Sequence, residues 1–302
     1  MKYTNQHNLP PVVVDALTLD DYDKGDSDLS ISEMNDSVQI RLLKNQHEND
    51  IVRDVTENSP IFQGNAIHAA LEKAANLRDD CISEERLFVH HSSGLKYSGA
   101  IDLQIINPDG TITVIDFKQT SVWTLILNGG KVKKEWVEQV NPYGYMVETC
   151  KGVTVSNIQI VVFLRDWKSN KDDANYPDSP VIVLDVPKWS RSKCEAHIDS
   201  RIKAFQDAKF RHISMGEDLP ECSNEERWVR GEKWAVMKKG RKSAIRGGLQ
   251  DTEQEAIDLI ETLDKSYYYI EHRPGRNIRC EGNYCQVSQW CNQYAEIVGD
   301  RS

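Results

Sequence analysis

No apolar run in the 302 residues approaches the roughly 20 needed to span a bilayer, and the opening MKYTNQHNLPP lacks the basic-then-apolar pattern of a secretory signal. The expected compartment is therefore a cytoplasm, with no membrane partner. Internal repeats and low-complexity tracts are missing as well. Net positive charge is absent: 37 lysines and arginines stand against 47 aspartates and glutamates, a formal charge of −10. That balance argues against a protein that coats nucleic acid through bulk charge, while leaving room for a local basic groove or for carboxylates that hold cations. Cysteine is thin over most of the chain, where Cys81, Cys150, Cys194 and Cys222 are scattered. In a reducing compartment such thiols are free or bind metal rather than forming disulfides.

What is present is the composition of an ordinary globular protein, 39% hydrophobic and 28% charged, long enough for one large core or two smaller ones. Residues 1–60 read as a polar, acidic arm with helix-like segments from Ser32 to about Asp54. From Gly64 the pattern changes. GNAIHAALEKAANL has helical spacing; RLFVHH, LKYSGAIDLQII and TITVIDFKQT read as strands; KEWVEQVNPYGYMVETC reads as a helix in which Pro142 should make a kink or sit near a turn. NIQIVVFLRDW and SPVIVLDV are further strands, followed by the helix SRSKCEAHIDSRIKAFQDAKF. This order makes residues 61–215 an α/β core with helices covering a mixed sheet. Residues 216–302 read as a small appended unit: a basic hairpin, a helix capped by Asp251 or Thr252, a strand in SYYYIEH, and three closely spaced cysteines, Cys280, Cys285 and Cys291.

The stretch SGAIDLQIINPDGTITVIDFKQT carries the sharpest chemical signal. Asn107-Pro108-Asp109-Gly110 suits a type I turn with glycine in the left-handed position, giving a three-residue loop that pairs Asn107 with Thr111. Counting outward sets Asp102 directly opposite Asp116, with Cβ atoms about 5 Å apart on one face. A four-residue loop would put them on opposite faces. Lys118 alternates onto the same face. Two facing carboxylates need compensation, and Mg²⁺ suits them because it takes carboxylate oxygens and keeps sites for water and phosphate. A neighbouring lysine can position or deprotonate the attacking water, or neutralise developing phosphate charge. His68 lies on the preceding helix with Glu72 one turn later, and Gln139 and Tyr143 are one turn apart on a later helix.

Taken in order, GNAIHAALE, SGAIDL, VIDFKQT and QVNPY resemble the PD-(D/E)XK nuclease superfamily, in its RecB-like branch. The resemblance covers residues 64–143. It implies a restriction-endonuclease-like core, a mixed central sheet flanked by helices. It implies metal binding by His68, Asp102, Asp116 and the backbone carbonyl of Phe117, with Lys118 as the catalytic lysine and Gln139 and Tyr143 along the DNA path. The implied activity is that of an Mg²⁺- or Mn²⁺-dependent deoxyribonuclease, an exonuclease on single-stranded DNA or DNA ends that hydrolyses phosphodiesters with metal-activated water. The alternatives are a non-catalytic nucleic-acid-binding or assembly module on a nuclease fold, and an endonuclease in CRISPR spacer processing or recombination.

The cysteines extend the likeness to phage-encoded and CRISPR-associated iron–sulfur exonucleases, which join a C-terminal three-cysteine cluster to one distant cysteine. Their implied partners are DNA and recombination or CRISPR proteins, and a phage-encoded member would work in the bacterial host cytoplasm. Here the spacing is C-x4-C-x5-C, the first interval being longer than the two or three residues of that pattern, and no cysteine precedes His68. Cys222 is the implied fourth ligand, with Cys81 the alternative. Four thiolates suit [4Fe–4S] or Zn²⁺, and the resemblance favours iron. In the appended unit, Lys238, Lys239, Arg241, Lys242 and Arg246, with Trp228 and Trp234, suit either a DNA track with stacked bases or a solvated surface.

Overall fold

Residues 1–19, 23–169 and 175–299 are described by the computed structural model, which divides into two units. The first comprises Met1–Asp36 and Glu48–Met215; the second comprises Ser37–His47 and the chain from Gly216 onward. The chain thus changes unit after Met215, where the sequence reading sets a boundary, but residues 1–60 are not a separate arm.

Pairing and capping explain how that N-terminal stretch is divided. Strand β1 (Lys2–Thr4) is followed by helix α1 (Pro11–Thr18), strand β2 (Leu29–Ser30), helix α2 (Ile31–Asn35), helix α3 (Val38–Gln46) and strand β3 (Val52–Asp54). β1 pairs in parallel with β3. Asp54 then caps the next turn: its carboxylate accepts from Thr56 N and, at 2.8 Å, from Gln6 N. α2 opens on a Ser30/Glu33 capping box, and the Arg201 guanidinium donates to the Met34 and Asp36 carbonyls at its end, 2.6 and 2.7 Å away. These bonds satisfy orphan groups at both ends of a helix too short to stand alone. Only α3 belongs to the second unit.

The first unit continues with α4 (Ser59–Ala75), β4 (Cys81–His90), β5 (Lys96–Ile106), β6 (Ile112–Thr120), α5 (Val122–Leu127), α6 (Lys134–Lys151), β7 (Val155–Leu164), β8 (Val181–Asp185) and α7 (Arg191–Phe210). β5 is the pivot of a mixed sheet. β4 runs antiparallel along one of its edges. The other edge is shared: β6 pairs antiparallel from Leu103 to Ile106, and β2 pairs in parallel at Tyr97 and Ser98. β7 joins β6 in parallel and β8 closes the row antiparallel. Ile101, Val114, Ile160 and Val162 from the sheet are fully buried with Val140, Met146 and Val147 of α6 and Ile202 of α7. Each such side chain contributes about 1.5–3 kcal/mol on burial. α6 continues through Pro142. Beside the missing N–H, the Asn141 side chain binds the Val137 carbonyl and accepts from Trp189 N.

In the second unit, α3 joins β9 (Val229–Arg230), β10 (Lys233–Lys238), β11 (Ala244–Gln250), α8 (Glu253–Glu261), β12 (Tyr268–Arg273), β13 (Arg276–Asn277), α9 (Ile278–Glu281) and α10 (Asn292–Gly299). The basic hairpin is β10–β11, with β12 on the other edge of β10. α8 starts from a Thr252/Glu255 capping box, so Thr252 rather than Asp251 is the cap. Asp251 instead pairs with Lys233. His47, after α3, stacks on Trp290 with ring centroids 4.2 Å apart. No described helix is long and apolar enough to cross a membrane.

Candidate metal centre

The β5–β6 turn has the geometry that the sequence demands. Asn107 N binds Thr111 O at 2.8 Å, Gly110 N binds Asn107 O at 2.9 Å, and Gly110 sits at φ +82°. The ladder runs from Ile106↔Ile112 to Leu103↔Ile115, so the next opposed residues are Asp102 and Asp116. There the ladder opens. The Asp102 carboxylate accepts the Phe117 N–H at 2.7 Å, filling with a side chain the space of a strand bond. The peptide between Asp116 and Phe117 is thereby tied to Asp102 at the fork. Asp116 is 2% exposed, and its Oδ2 is buried without a hydrogen bond. Lys118 Nζ lies 2.8 Å from that oxygen, an ion pair without hydrogen-bond alignment. The ammonium offsets part of the cost of burying that charge, and a metal ion there would complete the oxygen's coordination.

On the opposite edge of β5, Ser83 pairs with Leu103 and Glu85 with Ile101, which sets Glu84 across from Asp102. Glu84, Asp102 and Asp116 therefore form a row of acids over three adjacent strands. Glu84 has φ +50°, a left-handed conformation that costs a residue with a side chain roughly 1–2 kcal/mol, and the ladder skips it. α4 brings His68 over this row. His68 Nδ1 is 3.1 Å from Glu84 Oε1 and Nε2 is 3.8 Å from Asp102 Oδ2, with the ring edge-on to Phe117. The carboxylate partner of His68 is thus Glu84 and not Glu72, which is exposed on the same helix.

Electrostatics follow from this crowding. Burial, then the charge of Asp116, pushes the Asp102 carboxyl up to about 7. The hydrogen bond that His68 donates to Glu84 raises the imidazole above its usual value. His68, Glu84 and Asp102 each offer an atom within 4.8 Å of the others. Imidazole nitrogen and carboxylate oxygens fit Mg²⁺ or Mn²⁺ and do not suit a soft ion; Asp116, opposite Asp102 along the strands, is not one of these three.

Gln139 and Tyr143 meet as expected of one helical turn, Gln139 Nε2 donating to the Tyr143 hydroxyl at 3.0 Å. Tyr143, however, is 4% exposed and packs on Gly99, where a Cβ would come within 3.0 Å of its ring. Its ring is a core element that seats α6 on β5. Gln139 is half-buried.

In the second unit, Cys222, Cys280, Cys285 and Cys291 line one cavity, and all are free thiols. Burial pushes Cys222 up to about 12 and Cys280 up to about 11, so both are neutral unless a metal takes their protons. α3 closes the cavity with Gln39, Ile40 and Leu43. Gln39 Oε1 accepts from Cys222 at 3.1 Å and from Cys291 at 3.5 Å, and Ser37 Oγ is 3.1 Å from Cys222 Sγ. All four cysteines line this one space, and thiolates are the soft donors that [4Fe–4S] or Zn²⁺ takes. Cys81 begins β4 in the first unit, beside Asp80, and is not among the lining residues.

Glu84, Ser37 and Gln39 escape a reading of the sequence alone. Counting back from the β4–β5 turn would set Glu84 opposite Asp102, but nothing local announces its left-handed backbone. No local signal ties α3 to cysteines that follow it by more than 170 residues.

No protein-family profile matches the sequence, and no curated protein matches it. Among solved structures, one described as "Crystal structure of SSO0001" is similar over 60% of this chain and 78% of that chain, with 12% identity and a TM-score of 0.44.

Proposed function

We propose that the chain is a metal-dependent deoxyribonuclease with a restriction-endonuclease-like core of the PD-(D/E)XK type, acting as an exonuclease on single-stranded DNA or DNA ends. One observation carries the reading: Asp116 keeps a buried, unbonded oxygen opposite Asp102, at a fork where the strand ladder is given up. A structural acid at that depth would have its hydrogen bonds made.

His68, Asp102 and Asp116 would hold Mg²⁺ or Mn²⁺, with the Phe117 carbonyl as a further ligand. The ion supplies Lewis acidity and a more acidic water. The chain's own groups do the rest. Asp102 fixes the Asp116–Phe117 peptide through the Phe117 N–H. Lys118, already against Asp116, is held to serve a phosphate oxygen or to move a proton at the attacking water. In the second unit the four cysteines would hold [4Fe–4S], or Zn²⁺, as a structural clasp. Free thiols suit a reducing cytoplasm, including that of a phage host. Recombination or CRISPR proteins are the partners that this reading brings.

Asp116→Ala tests it. The variant should keep the wild-type fold by circular dichroism and lose Mg²⁺-dependent cleavage of linear single-stranded DNA. Full activity in that variant rules the assignment out. A time course on circular against linear DNA separates an exonuclease from an endonuclease, and binding without cleavage under every divalent ion tried marks a non-catalytic module.

A further inference from the structure

A metal on His68 needs one bare ring nitrogen, and the surroundings of the ring decide which. The Glu84 carboxylate is 3.1 Å from Nδ1. An ionised carboxylate only accepts, so Nδ1 carries the proton. Nε2 is 3.8 Å from Asp102 Oδ2, beyond hydrogen-bond reach, and faces the buried acids with its lone pair. One imidazole cannot turn both nitrogens to a single ion. Glu84 therefore stands behind the ring rather than beside the metal.

The backbone shows that this placement is built. β4 keeps its register on either side, with Ser83 against Leu103 and Glu85 against Ile101, yet Glu84 between them takes φ +50°. Glycine or asparagine is the ordinary choice for that conformation. A glutamate held there, with its carboxylate on a histidine of another element, points to a task for the side chain.

We infer that Glu84 is a positioning residue of the proposed metal centre: its carboxylate holds His68 with the proton on Nδ1 and turns Nε2 toward Asp102 as the metal-binding atom. The inference rests on the nuclease reading above. Such outer carboxylates fix ring orientation and raise the basicity of the ligand nitrogen, and their loss costs roughly 10–100-fold in metal affinity.

The experiment uses the full chain. Mn²⁺ affinity is measured by calorimetry for wild type, Glu84→Ala, Glu84→Gln and Asp116→Ala. The His68 ring nitrogens are followed by ¹⁵N NMR at alkaline pH, where the ring is neutral, without metal and with diamagnetic Mg²⁺. Wild type should show the proton on Nδ1. Glu84→Ala should bind Mn²⁺ about 10–100-fold more weakly and populate both tautomers. Glu84→Gln, whose amide oxygen accepts the same proton, should recover most of the affinity and the single tautomer. Three results overturn the inference: a wild-type proton on Nε2, which needs no variant; unchanged affinity in Glu84→Ala; or Glu84→Gln as weak as Glu84→Ala with the tautomer intact, which makes Glu84 a direct ligand. Asp116→Ala separates the two levels. If it binds Mn²⁺ like wild type, the metal centre itself fails. If it loses Mn²⁺ while Glu84→Ala does not, only the role of Glu84 fails.

Discussion

Phe117 donates its backbone N–H to the carboxylate of Asp102 at 2.7 Å, one step beyond the last β5–β6 pair. The same carboxylate lies opposite Asp116 on one side and Glu84 on the other, so one residue both ends a ladder and anchors a row of acids.

Asp102→Asn separates these two tasks. Its amide oxygen can still accept from Phe117, while the charge facing Asp116 is gone. Without metal at alkaline pH, urea unfolding should show the variant more stable than wild type by on the order of 1–3 kcal/mol. Divalent-ion-dependent cleavage should fall at least about 10²-fold, since a ligand should matter no less than the group that orients it. A variant both destabilised and active contradicts both expectations.

The stability of the metal-free protein should depend on pH with a definite sign. The Asp102 carboxyl is raised to about 7 by burial and by Asp116, so the folded state keeps a proton that the unfolded chain loses above about 4. Stability contributed this way falls as pH rises from about 4 to about 7 and is flat beyond. His68, raised chiefly by its hydrogen bond to Glu84, shifts stability with pH in the same direction. Its contribution is full below about 6.5 and is lost as pH rises through the folded value. Mn²⁺ competes with these protons, so its gain in Tm should be larger at about pH 8 than at about pH 5. Scanning fluorimetry with EDTA or Mn²⁺ reads both effects, and an equal gain at the two pH values counts against the site.

Tyr143 distinguishes a core role from a DNA role. Tyr143→Phe removes the acceptor for Gln139 while leaving the ring on Gly99. It should cost about 1 kcal/mol in chemical denaturation and leave single-stranded DNA affinity within about twofold of wild type. A large loss of affinity at unchanged stability would put Tyr143 on the DNA path.

The cysteine cavity makes a spectroscopic prediction. Protein prepared without air should be brown and lose its visible absorption in Cys285→Ala and Cys222→Ala, but not in Cys81→Ala. A colourless protein with one zinc per chain identifies Zn²⁺ instead. A metal-free protein with all four thiols titratable removes both.

Much of the centre was legible in the chain because it depends on short-range rules. Asn107-Pro108-Asp109-Gly110 specifies its own turn, and period-2 counting from that turn carries Asp102, Asp116 and Lys118 to one face. The Thr252 cap and the clustering of Cys280, Cys285 and Cys291 are local in the same sense. Gln139 and Tyr143 show the limit: helical spacing predicts that they meet, but burial against Gly99 is decided by what α6 packs upon.

The sequence by itself thus determined the elements, the hairpin register and the facing aspartates, since each follows from backbone geometry within about twenty residues. Only the tertiary structure decided that Glu84, not Glu72, serves His68, and that Cys222 rather than Cys81 shares a cavity with the C-terminal cysteines. It also decided that α3 belongs to the second unit. Those outcomes depend on where β4 lies against β5 and on which apolar faces are buried together. Such contacts are chosen by the free energy of the whole packed unit, and no local window of residues contains it.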